Sequence, residues 1–155
     1  MWREAYVTIL PAEITDSLEA LAREQWASAL DAAPTDAHHL LVAVASTPTA
    51  EEVVGFAAVS PSEEENTNSR TVGSLVTLLV EPDRRGQGHG SRLLTAAVET
   101  LRTSLFATAI TWQNEADTAL IEFLVAAGWG PDGARREIDT GVATVTEIRL
   151  HTTVG

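Results

Sequence analysis

The chain has 155 residues, 45% of them apolar, and no cysteine, which excludes disulfides, thiolate nucleophiles and cysteine-ligated zinc. Its formal net charge is −12 and its ten cations are all arginine. That balance argues against broad binding to nucleic acid or to an anionic membrane, and it permits attraction of a cationic partner.

The longest apolar runs, residues 40–45 and 53–59, are far shorter than the roughly 18 residues of a membrane span. The start, MWREAYV, lacks a basic region followed by an apolar one. Together with the length, these features predict one soluble, cytoplasmic domain over residues 1–155.

In chain order, the first ten residues are ambiguous. AYVTIL is β-branched like a strand, whereas Trp2, Tyr6 and Ile9 also fit one helix face. Residues 16–30 predict a helix, with Leu18, Leu21, Trp26 and Leu30 at helical spacing and Asp16 with Glu19 as a capping box. Residues 40–45 and 53–59 predict two buried strands, and an acidic loop, 60–70, leads to a longer strand over 71–80. Pro82 has no N–H and ends it. A helix follows over 89–105, with Leu93, Leu94, Ala97, Val98, Leu101 and Leu105 on its apolar face. Residues 109–112 predict a short strand. The next helix is expected over 114–127, with Asn114 as cap, Asp117 at the box position and Gly128 as the stop. Two strands, 134–139 and 142–151, turn at Thr140-Gly141. The whole predicts a mixed α/β sheet with helices on its faces.

The stretch EPDRRGQGHGSRLL, residues 81–94, joins a strand to a helix N-terminus. There, unpaired N–H groups and the helix dipole favour an anion, and glycine permits both positive φ and close approach. Arg84, Arg85 and Arg92 concentrate positive charge against an acidic background. A Walker loop is excluded because the chain has no lysine. The dinucleotide fingerprint fails too, because Ser91 stands where the third glycine of G-x-G-x-x-G belongs.

Arg85, Gly88 and Gly90 instead spell R-x-x-G-x-G after LLVEP, and ITWQNEADTALIEFLVAAGW adds an Asn-headed helix ending in Gly128-Trp129. This pair of motifs resembles the GNAT superfamily of N-acetyltransferases over about residues 40–139. The resemblance implies a mixed, mostly antiparallel sheet with splayed central strands and helices on both faces. It implies acetyl-CoA between strands ending at Val80 and Trp112, with pyrophosphate on the amides of Arg85, Gly86, Gln87, Gly88, His89, Gly90 and Ser91. Pantetheine would run beside the backbone of Leu78, Leu79 and Val80, an amide near Leu78 would serve the thioester oxyanion, and Asn114 would contact the cofactor. In the same light, WREAYVTILPAEI resembles the end of the family's first helix, which favours helix for Trp2–Val7. Tyr6 and Glu13 would then border the acceptor pocket, and the usual first strand would be absent. An open sheet edge leaves monomer or homodimer as the expectation.

Many family members protonate the leaving thiolate with a tyrosine four residues before the Gly-aromatic pair; here that position is Leu124. Tyr6, the chain's one tyrosine, is the remaining candidate acid, and water is the alternative. The strand over 71–80 carries Ser74 and Thr77 but no carboxylate, and His38, His39 and Glu63–Glu65 read as surface residues before they read as bases. The expected function is acetyl-CoA-dependent N-acetylation of a small-molecule or peptide primary amine, with the acidic charge favouring a cationic one. The alternatives are a GNAT-fold CoA-binding or regulatory protein with little transferase activity, and a site for another phosphate compound such as a nucleotide. No metal site is expected.

Overall fold

A computed structural model describes residues 24, 25, 27, 28 and 31–155. Tyr6, Glu13 and the Trp2–Val7 segment lie outside these residues. So does most of the helix expected over 16–30, although residues 24, 25, 27 and 28 are helical.

Three antiparallel strands follow these helical residues: β1 (His39–Ser46), β2 (Glu51–Pro61) and β3 (Val72–Val80). Helix α1 (His89–Thr103) then leads to β4 (Thr108–Asn114), and helix α2 (Thr118–Ala126) leads to β5 (Gly130–Asp139) and β6 (Thr144–Thr153). The sheet order is β1-β2-β3-β4-β6-β5. Among the described residues only β3 and β4 run parallel; every other pairing is antiparallel. The parallel pair is joined through α1, as a parallel connection requires.

The core follows from the helical spacing of leucines. Leu93, Leu94, Ala97 and Leu101 are buried on one side of α1, which lies against β1, β2 and β3. They meet Ala57, Val59 and Leu75 from the sheet, and Leu124 and Trp129 from the end of α2, in one cluster. Burying leucine-sized side chains stabilises by about 1.5–3 kcal/mol each.

Both helices end in the same hydrogen-bond pattern, and it shifts two expected boundaries. The Trp129 amide donates to the Leu124 carbonyl (3.1 Å) and Gly128 to Val125 (3.0 Å), around Gly128 at φ 93°. Likewise Phe106 donates to Leu101 (3.1 Å) and Leu105 to Arg102 (2.9 Å). Here the left-handed position is Leu105, at φ 67° and 85% exposed. Helix α1 therefore stops at Thr103, and Leu105 is outside its apolar face rather than on it. The buried residue is the next one, Phe106.

The start of α2 also differs from expectation. Asp117 is its N-cap, accepting from the Leu120 amide (3.1 Å). Asn114 is the last residue of β4, and its Oδ1 accepts from the Ala116 amide (2.9 Å) in a local turn. β5 begins four residues earlier than expected, at Gly130. Pro131, Asp132 and Gly133 lie in an irregularity on this edge strand, between Pro131↔Leu150 and Arg135↔Ile148.

Candidate active site

The sheet opens where β3 and β4 part. Their ladder holds only Val72↔Thr108, Gly73↔Ala109 and Ser74↔Ile110, although both strands continue past it. On its other edge β3 stays paired with β2 as far as Gly55↔Val80. One residue of β3, Val76, has no partner in that register: Val59 faces Leu75 and Ala58 faces Thr77. Such a bulge bends a strand and re-aims its edge. From Leu75 to Val80, β3 therefore turns its backbone toward an open slot.

A cavity of about 1030 Å³ occupies this opening. Its floor is Ser74 to Leu79 of β3, one wall is Thr111 to Asn114 of β4, and Phe56 and Ala58 of β2 face it from the other side. His38, His39, Glu63 and Glu64 lie at its rim, with Arg136 and Glu147 beyond Trp112. The expected cofactor residues Leu78, Leu79 and Asn114 thus meet in one cavity. Val80 lies just past it and packs beside Gly90.

The glycine turn continues directly from the slot. Pro82–Arg84 form one 3-10 turn, Gly86 and Gly88 take φ 73° and 83°, and Gly88 caps α1 without a side-chain hydrogen bond. The amides of His89, Gly90 and Ser91 precede the first intrahelical bond, Arg92 N to Gly88 O (3.1 Å). They remain the helix's outward donors. Of the three arginines, Arg84 is tied to Glu52 (2.7 Å). Arg85 sits at the end of the 3-10 turn, its amide donating to Pro82 O (3.4 Å). Arg92 folds back over Gly88, donating to the Gln87 carbonyl (3.3 Å) and meeting His89 Nδ1 (3.1 Å). The His89 ring is buried and engaged, so its side chain matters where sequence reasoning credited only its backbone.

The acidic loop holds a second surprise. Glu64 is docked rather than solvated: its Oε1 accepts from Trp112 Nε1 (3.0 Å) and lies 3.6 Å from Arg136. Arg136 also pairs with Glu147 (2.6 Å) and stacks on the Trp112 ring at 4.3 Å, with Arg149 at 5.6 Å. The loop is braced internally by Ser62 and Thr67 (2.7 Å). Glu63 and Glu65 are exposed. Trp112 and Glu64 are 48 residues apart, so no local spacing signals their contact.

Leu124 is completely buried in the core cluster. The position offers no proton donor. Thr35 holds His38 through Nδ1 (2.8 Å) at the cavity rim.

The acetyltransferase (GNAT) family model matches residues 1–151. The chain belongs to that family. Solved structures agree with this in fold. A GNAT-family protein from Desulfovibrio desulfuricans superposes with a TM-score of 0.70 at 18% identity, covering 95% of this chain and 85% of that one. The ribosomal-protein-alanine N-acetyltransferase of Brucella melitensis gives 0.67 at 21% identity, covering 85% and 76%. The yncA protein of Salmonella typhimurium, solved with its cofactor acetyl-CoA, gives 0.63 at 16% identity, covering 91% and 74%. No curated protein matches the chain. The mixed, mostly antiparallel GNAT sheet expected from the motifs is the sheet observed, with six strands among the described residues. Among the described residues no helix is long and apolar enough to cross a membrane.

Proposed function

We propose that this GNAT protein transfers an acetyl group from acetyl-CoA to a primary amine of a small molecule or peptide. One observation carries the reading: the strand that loses its neighbour after Ser74 is the strand that runs into the glycine turn. A ligand with an amide-bearing arm and a pyrophosphate matches both features in order. The arm pairs with the open edge of β3, as an added strand does. The pyrophosphate rests on the turn from Arg85 to Ser91, where the helix dipole and outward N–H groups favour negative charge. Bound acetyl-CoA supplies the thioester whose acyl carbon the amine attacks, and the thiol leaves as the amide forms.

The chain's own residues supply position and charge. An amide of β3 near Leu78 donates to the thioester oxygen as it becomes an oxyanion. Asn114 borders the arm. Arg92, held over Gly88, adds a guanidinium to the anion turn. Leu124 removes the usual acid, so transfer rests on proximity and the oxyanion donor, with water or Tyr6 taking the proton role. A thiol pKa of about 8.5 makes this tolerable, since positioned acids typically contribute only about 10²–10⁴-fold.

The acceptor enters from the side of His38, Glu63 and Glu64. Among the described lining residues four carboxylates, Glu63, Glu64, Asp117 and Glu147, face one guanidinium, that of Arg136. That field favours a cationic acceptor.

Thiol release from acetyl-CoA in the presence of a panel of polyamines, aminoglycosides and peptides tests the reading. Release above background with cationic amines supports it, and none with any amine counts against transfer. The buried Leu124 favours a second reading, a CoA-binding protein with little turnover. Tight CoA binding without acceptor-dependent release would select that one, and a calorimetric preference for ATP over CoA would remove both.

A further inference from the structure

The place where the sheet opens is set by a side chain. Continued by one step, the β3–β4 ladder would pair Leu75 with Thr111. Instead the Thr111 hydroxyl donates to the Leu75 carbonyl at 2.8 Å. The side chain thus takes the acceptor that a main-chain amide of β4 would otherwise fill. The contact is dry: Thr111 and Leu75 are each 2% exposed. Gln113, two residues on and so on the same face of β4, donates from Nε2 to Thr111 Oγ1 at 2.8 Å. With one lone pair of that oxygen engaged, the hydroxyl proton is directed at Leu75. The unpaired Val76 of β3 follows immediately, and both Thr111 and Gln113 line the cavity.

We infer that Thr111, oriented by Gln113, is a positioning residue that pins the fork at Leu75 and so fixes the depth of the slot that receives the pantetheine arm. The inference rests on the acetyl-CoA reading above. Without the hydroxyl, the buried Leu75 carbonyl must either go unpaired or recruit a β4 amide. The first loosens the fork; the second zips the strands one step further and shortens the slot. Each weakens contacts made by the arm while leaving the glycine turn, at the far end of β3, as it is.

The test compares two ligands by calorimetry, CoA and 3′,5′-ADP, which keeps the 3′-phosphate and the adenosine-side phosphate of the pyrophosphate but lacks the arm. Thr111→Val removes the donor at nearly constant volume, and Thr111→Ser restores it. The expected result is a loss of about five- to tenfold in CoA affinity for Thr111→Val, with 3′,5′-ADP unchanged and Thr111→Ser near wild type. Unchanged CoA affinity in Thr111→Val would overturn the inference. Equal weakening of both ligands would also overturn it, because it marks a general structural role. A wild-type protein that binds neither ligand would remove the acetyl-CoA reading itself, and this inference with it. Thermal unfolding of each variant shows that the protein measured is folded.

Discussion

Gly88 and Gly90 stand two residues apart in one motif, yet they are glycine for different reasons. Gly88 has φ 83°, and a Cβ there would lie 3.0 Å from Arg92 Nη1. Alanine therefore costs about 1 kcal/mol of backbone strain and displaces the guanidinium from the turn. At Gly90 no positive φ applies, and a Cβ would make ordinary contacts with Phe123 Cζ (3.6 Å) and Val80 Cγ2 (3.7 Å). Alanine also favours a helix over glycine by up to about 1 kcal/mol. Calorimetry should find Gly88→Ala about tenfold weaker for acetyl-CoA and Gly90→Ala close to wild type with a raised Tm. Reversed effects would misplace the anion contact. The R-x-x-G-x-G spacing made this turn legible from the sequence. The Arg92–His89 contact was not legible, because it depends on how the guanidinium folds back once the turn exists.

At the scale of elements, helix ends and edge strands decide what the sequence could and could not disclose. The apolar periodicity of α1 and α2 placed both helices, but periodicity says nothing about where the chain reverses. Gly128 announced its stop, whereas the left-handed residue just past α1 is a leucine, Leu105, that no stop rule selects. Leu105 is 85% exposed, so Leu105→Gly loses little packing and relieves the left-handed strain. Differential scanning calorimetry should show it raising Tm by about 2–4 °C, equivalent to ~1 kcal/mol. A lowered Tm would mean the leucine has a role its exposure hides. The early start of β5, at Gly130 rather than at 134, comes from an edge-strand irregularity that only the tertiary pairing with β6 shows. Asp132 stabilises that irregularity by accepting from the Ala134 amide (2.9 Å) and from Arg149 (2.6 Å). Burial alone would raise the Asp132 pKa; the Ala134 amide, Arg149 and the charge of His151 outweigh it and hold the carboxyl below its usual range. A depressed carboxyl stabilises the fold above its unfolded pKa of about 3.9 and ceases to as pH falls through the lower folded value. Asp132→Asn should therefore lower Tm at pH 7 by a few degrees at most, given solvent screening, and the difference should close below about pH 4. A gap that persists under acid would assign the effect to something other than charge.

Across the whole molecule, the chain's acidity and its one concentrated basic turn take on a spatial meaning. The carboxylates that a sequence treats as a uniform surface are unequally placed: Glu63 and Glu64 reach the cavity, while Glu64 also bridges the open half-sheets through Trp112 and Arg136. That bridge joins a loop between β2 and β3 to strands β4 and β5, and its partners are too far apart in the chain for any pattern to join them. The split itself was legible only through the family resemblance, since nothing in the residues of β3 or β4 states that their ladder stops after three pairs. The proposed function places acetyl-CoA in this split and in the turn that follows it. Hydrogen exchange measured with and without acetyl-CoA tests this placement. Exchange should slow in residues 75–80 and 85–91, with smaller protection at 111–114. Protection absent from those segments, or confined to another part of the sheet, would contradict it.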